Sequence, residues 1–499
     1  MKNLINKRYH RIFQVVSLAA VLTLSTSCED FLDKTPKGQL TQDSFFQTAE
    51  HAEQATNATY SILRSFNVHV FSYIGVTDIA SDDAEKGSVP GDAAFLQDIN
   101  DFTFDANNTA PNGIWNGYFQ GIFRANQAIA GIENVTDIDP VLKNRLIAEN
   151  RFMRGYFYFF LVRAFGDLPL VDRNLNPNEY FQERVPKETI YDFIEADLEF
   201  AAENLPAKSQ YAASDLGRVT SGAANGLLAK VHLFQNDFQN AFDYAELVIN
   251  SGEYALYPDY LEIFRQAGEH SSESVFEVST AALEQGGGGS QYNEVQGIRG
   301  NPNRGWGFNS PSNDLANAYE PGDPRREATI IFNGETLPDG SVVVAGQGMP
   351  ADAKFSKKAY LPVQPVGGNG NSGANIRILR YADVLLIAAE AANELNNSTD
   401  ALRYLNLVRE RARQGDDTIL PDVTTTDQTE LREAIWHERR VELAMEQHRF
   451  FDIVRQGRAP EIFANLGINF QEGKNEVYPI PQNEIDLSNG RLTQNPGYN

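Results

Sequence analysis

Cysteine is nearly missing, with Cys28 the single one in 499 residues. A lone thiol excludes a disulfide framework and any cysteine metal site. Histidine is scarce too, seven in all. His437 is followed by Glu438, but Val441 stands where the second histidine of a zinc helix would be. Basic residues are in the minority, 42 lysines and arginines against 67 aspartates and glutamates, for a formal charge of -25. Such a surface is repelled by phosphate backbones, and no basic cluster is interleaved with aromatics, so nucleic acid is excluded as a partner. Long apolar runs are missing as well. The stretch from Ile12 to Leu24 is about half of the roughly 20 residues that cross a bilayer. Neither a nucleophile elbow nor a phosphate-binding P-loop is present, and no enzymatic chemistry is expected.

What stands at the amino end is a basic stretch with Lys2, Lys7, Arg8 and Arg11, the short apolar run, then Ser25, Thr26, Ser27 and Cys28. This order predicts a signal peptide over 1–27 and lipidation of Cys28, where small residues close the apolar core. Ser25 occupies the place, three before the cysteine, where a bacterial lipoprotein signal usually has leucine; Leu24 lies one step earlier. Several acyl chains hold a protein at a membrane where one gives marginal binding. The expected mature protein is a lipidated arm over 28–44 and a single body over 45–499. Removing the leader takes away four basic residues and no acidic one, deepening the charge to about -29.

Helical periodicity dominates the body. Apolar residues at three- and four-residue spacing predict helices over 52–66, 114–133, 141–165, 187–204, 221–234, 238–250, 380–395, 400–412 and 428–448. In the third of these Phe152, Tyr156, Phe159 and Phe160 line one face, and 156–160 is apolar all round, as in a helix buried on more than one side. The pairs 221–250 and 380–412 read as helical hairpins with small contact residues, of the length of divergent tetratricopeptide-like repeats. The scaffold is thus expected mainly over 45–265 and 376–455, in an all-α dominated fold. Two segments, about 67–113 and 266–375, are rich in glycine, turns and acids without helical period. Loops of that length are usually functional, and the binding surface is expected there.

Glycoside hydrolysis needs two carboxylates facing each other across a sugar. Asp82 and Asp83 are adjacent and diverge, and Glu438 and Glu442 sit one turn apart among Arg432, Arg439 and Arg440. With Arg449, Asp452 and Arg455 they predict an internal ion-pair network. Sugar recognition needs aromatic faces flanked by polar groups. Trp115 and Trp436 lie in helical patterns and read as core. Trp306 stands between Gly305 and Gly307, beside Asn303, Arg304 and Arg299, with Tyr292 upstream. Trp306 and Tyr292 are the candidate aromatic contacts, and Asn303, Arg304 and Arg299 the candidate hydrogen-bonding groups. No cofactor is expected; calcium could enter the acidic loops through oxygen ligands, though no spacing demands it.

Six segments in order resemble the SusD/RagB family of outer-membrane nutrient-binding lipoproteins. They are Phe31, Leu32, Asp33 and Pro36 after the cysteine, then 148–171 (AENRFMRGYFYFFLVRAFGDLPLV), 217–264, 380–390 (RYADVLLIAAE) with 405–412 (LNLVRERA), 438–457 (ERRVELAMEQHRFFDIVRQG) and 478–484 (YPIPQNE). The resemblance implies four tetratricopeptide-like helical pairs with an irregular ligand-binding half. It also implies a partner, a SusC-like TonB-dependent outer-membrane transporter on which the protein acts as a lid. Cell-surface exposure is implied as well, with Glu29 and Asp30 similar to a surface-export signal. The family's ligands are glycans of many kinds, in some members peptides or glycopeptides, and a structural lid with little affinity of its own is a third alternative. By resemblance, 78–87 and the Trp306 loop lie where ligand contacts fall, and Asp83 joins the candidates on that ground alone.

Overall fold

In the computed structural model, residues 45–285 and 287–498 are described; the signal peptide, Cys28 and the arm to residue 44 lie outside them. The long helices start where a side chain can take the first free backbone N–H groups. Thr48 caps α1 (Ala49–Ile62), Asn108 caps α2 (Thr109–Asn134) through the N–H of Ala110, and Asp139 caps α3 (Pro140–Phe165) through those of Val141 and Leu142. Proline at the first turn of α3 loses no hydrogen bond there. From Leu146 to Phe165 almost every residue of α3 is buried, Arg163 being partly open, and Phe152, Phe157, Phe159 and Phe160 are at most 2% exposed. The all-round apolar run therefore sits at the centre of the core. Helices α4 (Lys187–Asn204), α5 (Ser221–Phe234) and α6 (Phe238–Ile249) follow, then after the irregular region α7 (Tyr381–Glu394) and α8 (Ser398–Ala412).

Packing groups them as α1 on α2, α3 on α4, α5 on α6 and α7 on α8, with α2 against α3, α4 against α5 and α6 against α7 in succession. These are the four pairs of the sequence expectation, stacked as repeats in which each unit covers its neighbour's apolar face. The two later hairpins use one turn chemistry. Asn236 and Asn396 take φ of 59° and 61°, a left-handed value asparagine tolerates. Asp237 and Asn397 then cap the returning helix through Asn240 and Asp400.

Close approach of α2 and α3 depends on Gly121. A Cβ there would lie 2.5 Å from the Phe157 ring, which is fully buried and has nowhere to retreat. Gly121→Ala is expected to lower stability. Overpacking costs about 1–3 kcal/mol against the roughly 1 kcal/mol a helical alanine returns. The urea midpoint should fall; an unchanged or higher midpoint would show that the ring moves freely.

The structure corrects one expectation. The stretch 428–448 is not one helix: α9 (Gln428–Glu442) ends, the chain reverses with Met445 and Gln447 at φ of 62° and 64°, and α10 (Arg449–Arg455) resumes. The apolar run Leu443 to Met445 continues the helical pattern on paper, but the turn is needed to bring the Gln447 N–H to the Asp78 carboxylate. The two insertions are irregular, as expected, and carry only short elements. Residues 67–113 hold a π-helical turn (Gly75–Ile79), strand β1 (Ala84–Gly87), a short helix (Ala94–Asn100) and the first turn of α2. Residues 266–375 hold β2 (Ser274–Val278), β3 (Phe308–Pro311), β4 (Ile330–Phe332) and β5 (Lys354–Ser356), and β6 (Ile376–Arg380) follows. They form antiparallel pairs, β1 with β3 (Ala84 opposite Pro311), β2 with β6 (Ile376 opposite Val278) and β4 with β5 (Ile331 opposite Phe355). Among the described residues no helix is long and apolar enough to cross a membrane.

Candidate functional site

The acidic segment 78–87 turns inward. Asp78 is fully buried, and its carboxylate accepts from the Gln447 backbone N–H (3.0 Å), Gln447 Nε2 (2.7 Å) and Asn309 Nδ2 (2.9 Å). Burial outweighs these three donors and pushes its pKa up to about 6. Asp82 takes the Arg449 fork through two bonds of 2.7 and 2.8 Å, and Asp83 accepts from Arg440 Nε at 2.7 Å. Burial raises both, but Arg449 and Arg440 hold Asp82 below the usual carboxylate range, while Asp83 stays above it. Asp83 is 0% exposed, so the structure places it among guanidinium groups and away from any ligand-facing surface.

A pH dependence follows from Asp78. Because its folded pKa is raised, its contribution to stability is present in acid, below the ordinary carboxylate range, and is lost as pH rises through about 6. The expected result is a carboxyl resonance titrating near 6 by carbon NMR, absent in Asp78→Asn. Titration near 4 would show that the amide donors prevail.

Behind this segment lies the predicted ion-pair network. Glu442 receives Arg325 (3.1 Å), Arg380 (3.0 Å) and Arg411 (2.5 Å), and Glu446 receives Arg380 (2.6 Å) and Lys358 (2.7 Å). Glu438 joins Arg325 to Arg409, and Arg439 bridges Asp383 (2.8 Å) and Asp452 (3.2 Å). Asp82, Asp83, Glu438 and Glu442 are therefore all committed to cations.

The Trp306 loop is a different environment. A short helix (Tyr292–Gln296) leads into a closed loop in which Ile298 O accepts from Arg304 N–H (2.8 Å), Glu294 O from Trp306 N–H (2.8 Å) and Gly297 O from Gly307 N–H (3.0 Å). Gly305 is required by space, since a Cβ would meet Glu294 O at 2.0 Å, and Gly307 by its φ of 76°. Trp306 is half-buried, edge-on to Phe71 at 5.8 Å and 89°. Phe71 is the hub of an aromatic cluster, 5.5 Å from Phe66, 5.7 Å from Phe95 and 4.9 Å from the buried Phe308. Phe66 is 39% exposed, and Phe71 and Phe95 are half-buried.

Of the other candidates, Arg299 donates to Ser88 Oγ (2.8 Å) and pairs with Asp92, both partly exposed, and Asn303 is exposed. Arg304 is half-buried, with a Nε that has no partner among the described residues. Tyr292 is half-buried and donates its hydroxyl to Gln447 Oε1 (3.1 Å), so its O–H is not free for a ligand. Trp115 is buried; Trp436 is half-buried and donates to Glu390 Oε1 at 2.9 Å. Sequence reasoning missed Phe66, Phe71, Phe95, Ser88 and Asp92. They lie in separate segments, and only the fold brings them to the Trp306 loop.

Comparison with known proteins gives matches along the chain. Residues 272–498 match the profile of the SusD family, and residues 30–233 match one described as starch-binding associating with outer membrane. SusD-like protein P2 of Formosa agariphila is 31% identical, over 97% of this chain and 99% of its own. A solved laminarin binding SusD-like protein is 30% identical with a TM-score of 0.78, over 91% of this chain and all of its own. Surface glycan-binding protein A from Bacteroides thetaiotaomicron, solved in complex with laminarihexaose, is 26% identical with a TM-score of 0.76, over 90% of this chain and all of its own.

Proposed function

The chain belongs to the SusD/RagB family, and on that premise we propose that it captures an oligosaccharide or polysaccharide at the cell surface. The protein would then deliver it to a TonB-dependent outer-membrane transporter. The observation that carries this reading is the partly exposed aromatic cluster of Phe66, Phe71, Phe95 and Trp306, with Arg299 and Asp92 paired beside its loop. A pyranose ring offers an apolar face to stack on aromatic carbon and hydroxyls to match guanidinium, carboxylate and amide groups. Similarity to a laminarin binder and to a protein solved with laminarihexaose makes β-glucan the first ligand to try.

The protein performs no reaction on its ligand. Asp82, Asp83, Glu438 and Glu442 are each paired with arginine, which supports a binding role. The lipid on Cys28 would tether the body, and closing over the transporter would hand the ligand on. Affinity electrophoresis of the mature protein against laminarin, starch, pectin and sulfated glycans tests capture. Retardation by one glycan class supports it, and binding of peptides with no glycan retained would overturn it. Co-purification with a transporter from solubilised outer membranes tests delivery, and a protein that always purifies alone would count against it.

A further inference from the structure

Arg163, near the carboxyl end of α3, is a cation without an anion. It is held by rings instead: its guanidinium carbon lies 4.1 Å from the Phe159 centroid, 4.6 Å from Phe451, 5.0 Å from Phe234 and 5.5 Å from Phe160. Its Nε donates to the Phe159 carbonyl at 3.1 Å, and no ion pair reaches it among the described residues. Aromatic faces attract a cation but leave its formal charge in place. Burial accordingly pulls its pKa down.

The neighbouring charges offer no spare carboxylate. Lys230 pairs with Asp383 (2.8 Å), Arg439 with Asp383 and Asp452, and Arg455 with Asp452 (2.8 Å) and Glu390 (2.6 Å). That is three cations against three carboxylates, a closed set, with Arg163 left over. His448 adds nothing negative: burial and Lys230 push its pKa down to about 3, and its neutral Nδ1 accepts from Lys230 Nζ at 3.0 Å.

Arg163 and Lys230 line the same cavity, of about 30 Å³, whose other polar walls are Tyr73, Tyr156, Gln447 and His448. That space admits a water-sized particle or a monatomic ion and no sugar. Arg163 is only partly exposed, and a charge largely removed from water is disfavoured unless something compensates it. We propose that this cavity is a binding site for a small monovalent anion of the halide class, held by Arg163 with Lys230 and the tyrosine and glutamine dipoles around it. The ion would lock α3, α5 and the reversal at Gln447 together, independently of any glycan.

The probe is bromide, which scatters anomalously. Crystals of the mature protein soaked in sodium bromide should show an anomalous peak in this cavity, within contact of the Arg163 guanidinium. Melting temperature should rise saturably with sodium chloride and not with sodium gluconate at equal ionic strength, and Arg163→Met should lose that increment. No bromide peak in the cavity, or a chloride response kept in Arg163→Met, would overturn the proposal. If the variant does not fold, the bromide peak in the natural protein decides alone.

Discussion

Glu442→Gln will destabilise the protein by about 3–5 kcal/mol, the cost of removing one partner from a buried ion pair. The side chain is 0% exposed and collects Arg325, Arg380 and Arg411, three guanidiniums that would lose their shared anion while their other carboxylates stay. Domains of this kind are stable by only about 5–15 kcal/mol in total, so the variant stands near the edge of folding at 37 °C. Glu442 is the strongest case because its burial, which would raise its pKa, is overcome by the three arginines, and the carboxyl titrates well below the usual range. With a depressed folded pKa, its contribution is present above the ordinary glutamate range and lost on acidification. It thus acts in the opposite direction to Asp78. Urea denaturation at pH 7 measures the loss; a change under about 1 kcal/mol would mean the charges redistribute without Glu442. The exposed pair Arg173 and Glu179 is the contrast, where deleting either partner should change stability by less than about 1 kcal/mol.

Trp306→Ala is expected to weaken glycan binding by about five- to 150-fold, corresponding to roughly 1–3 kcal/mol of stacking. The indole is half-buried against Phe71, so folding should lose less than the roughly 3–5 kcal/mol of a fully buried tryptophan. Affinity and melting temperature read together on this one variant separate the roles. A large fall in melting temperature with affinity unchanged would make Trp306 a loop anchor and remove the site from this face. Phe66→Ala, at the exposed side of the cluster, should weaken binding with little effect on melting.

The helical scaffold was legible because its signals are local. Periodic apolar residues, caps such as Asn108 and Asp139, and the Asn236 and Asn396 turns all lie within a few residues of what they determine. The break at Leu443 was not legible, since leucine, alanine and methionine are good helix formers and the turn is imposed by Asp78, far away in sequence. Asp83 was placed on a ligand surface by family resemblance alone, and nothing near it in sequence signals its burial. Its burial depends on Arg440, 357 positions later, as its hydrogen bond requires. The ion-pair network was visible within α9 and α10 but its other half, Arg325, Lys358 and Arg380, sits in stretches with no shared pattern. The Trp306 loop could be picked out by glycine and aromatic composition. Its companions Phe66, Phe71 and Phe95 could not, because each looks like ordinary core.

Asp82 and Arg449 are 367 positions apart, and Tyr478 reaches back to the Val76 carbonyl at 3.1 Å. A polypeptide leaves the ribosome amino end first, so for most of its synthesis Asp82 and Asp83 lack Arg449 and Arg440, and Asp78 lacks Gln447. Closure waits for the final stretch of chain. Contacts of such long sequence separation form slowly, and until they do this segment is expected to stay in an unclosed state. A version truncated before residue 440 should remain in that state permanently, as a substrate for proteases instead of a smaller folded protein.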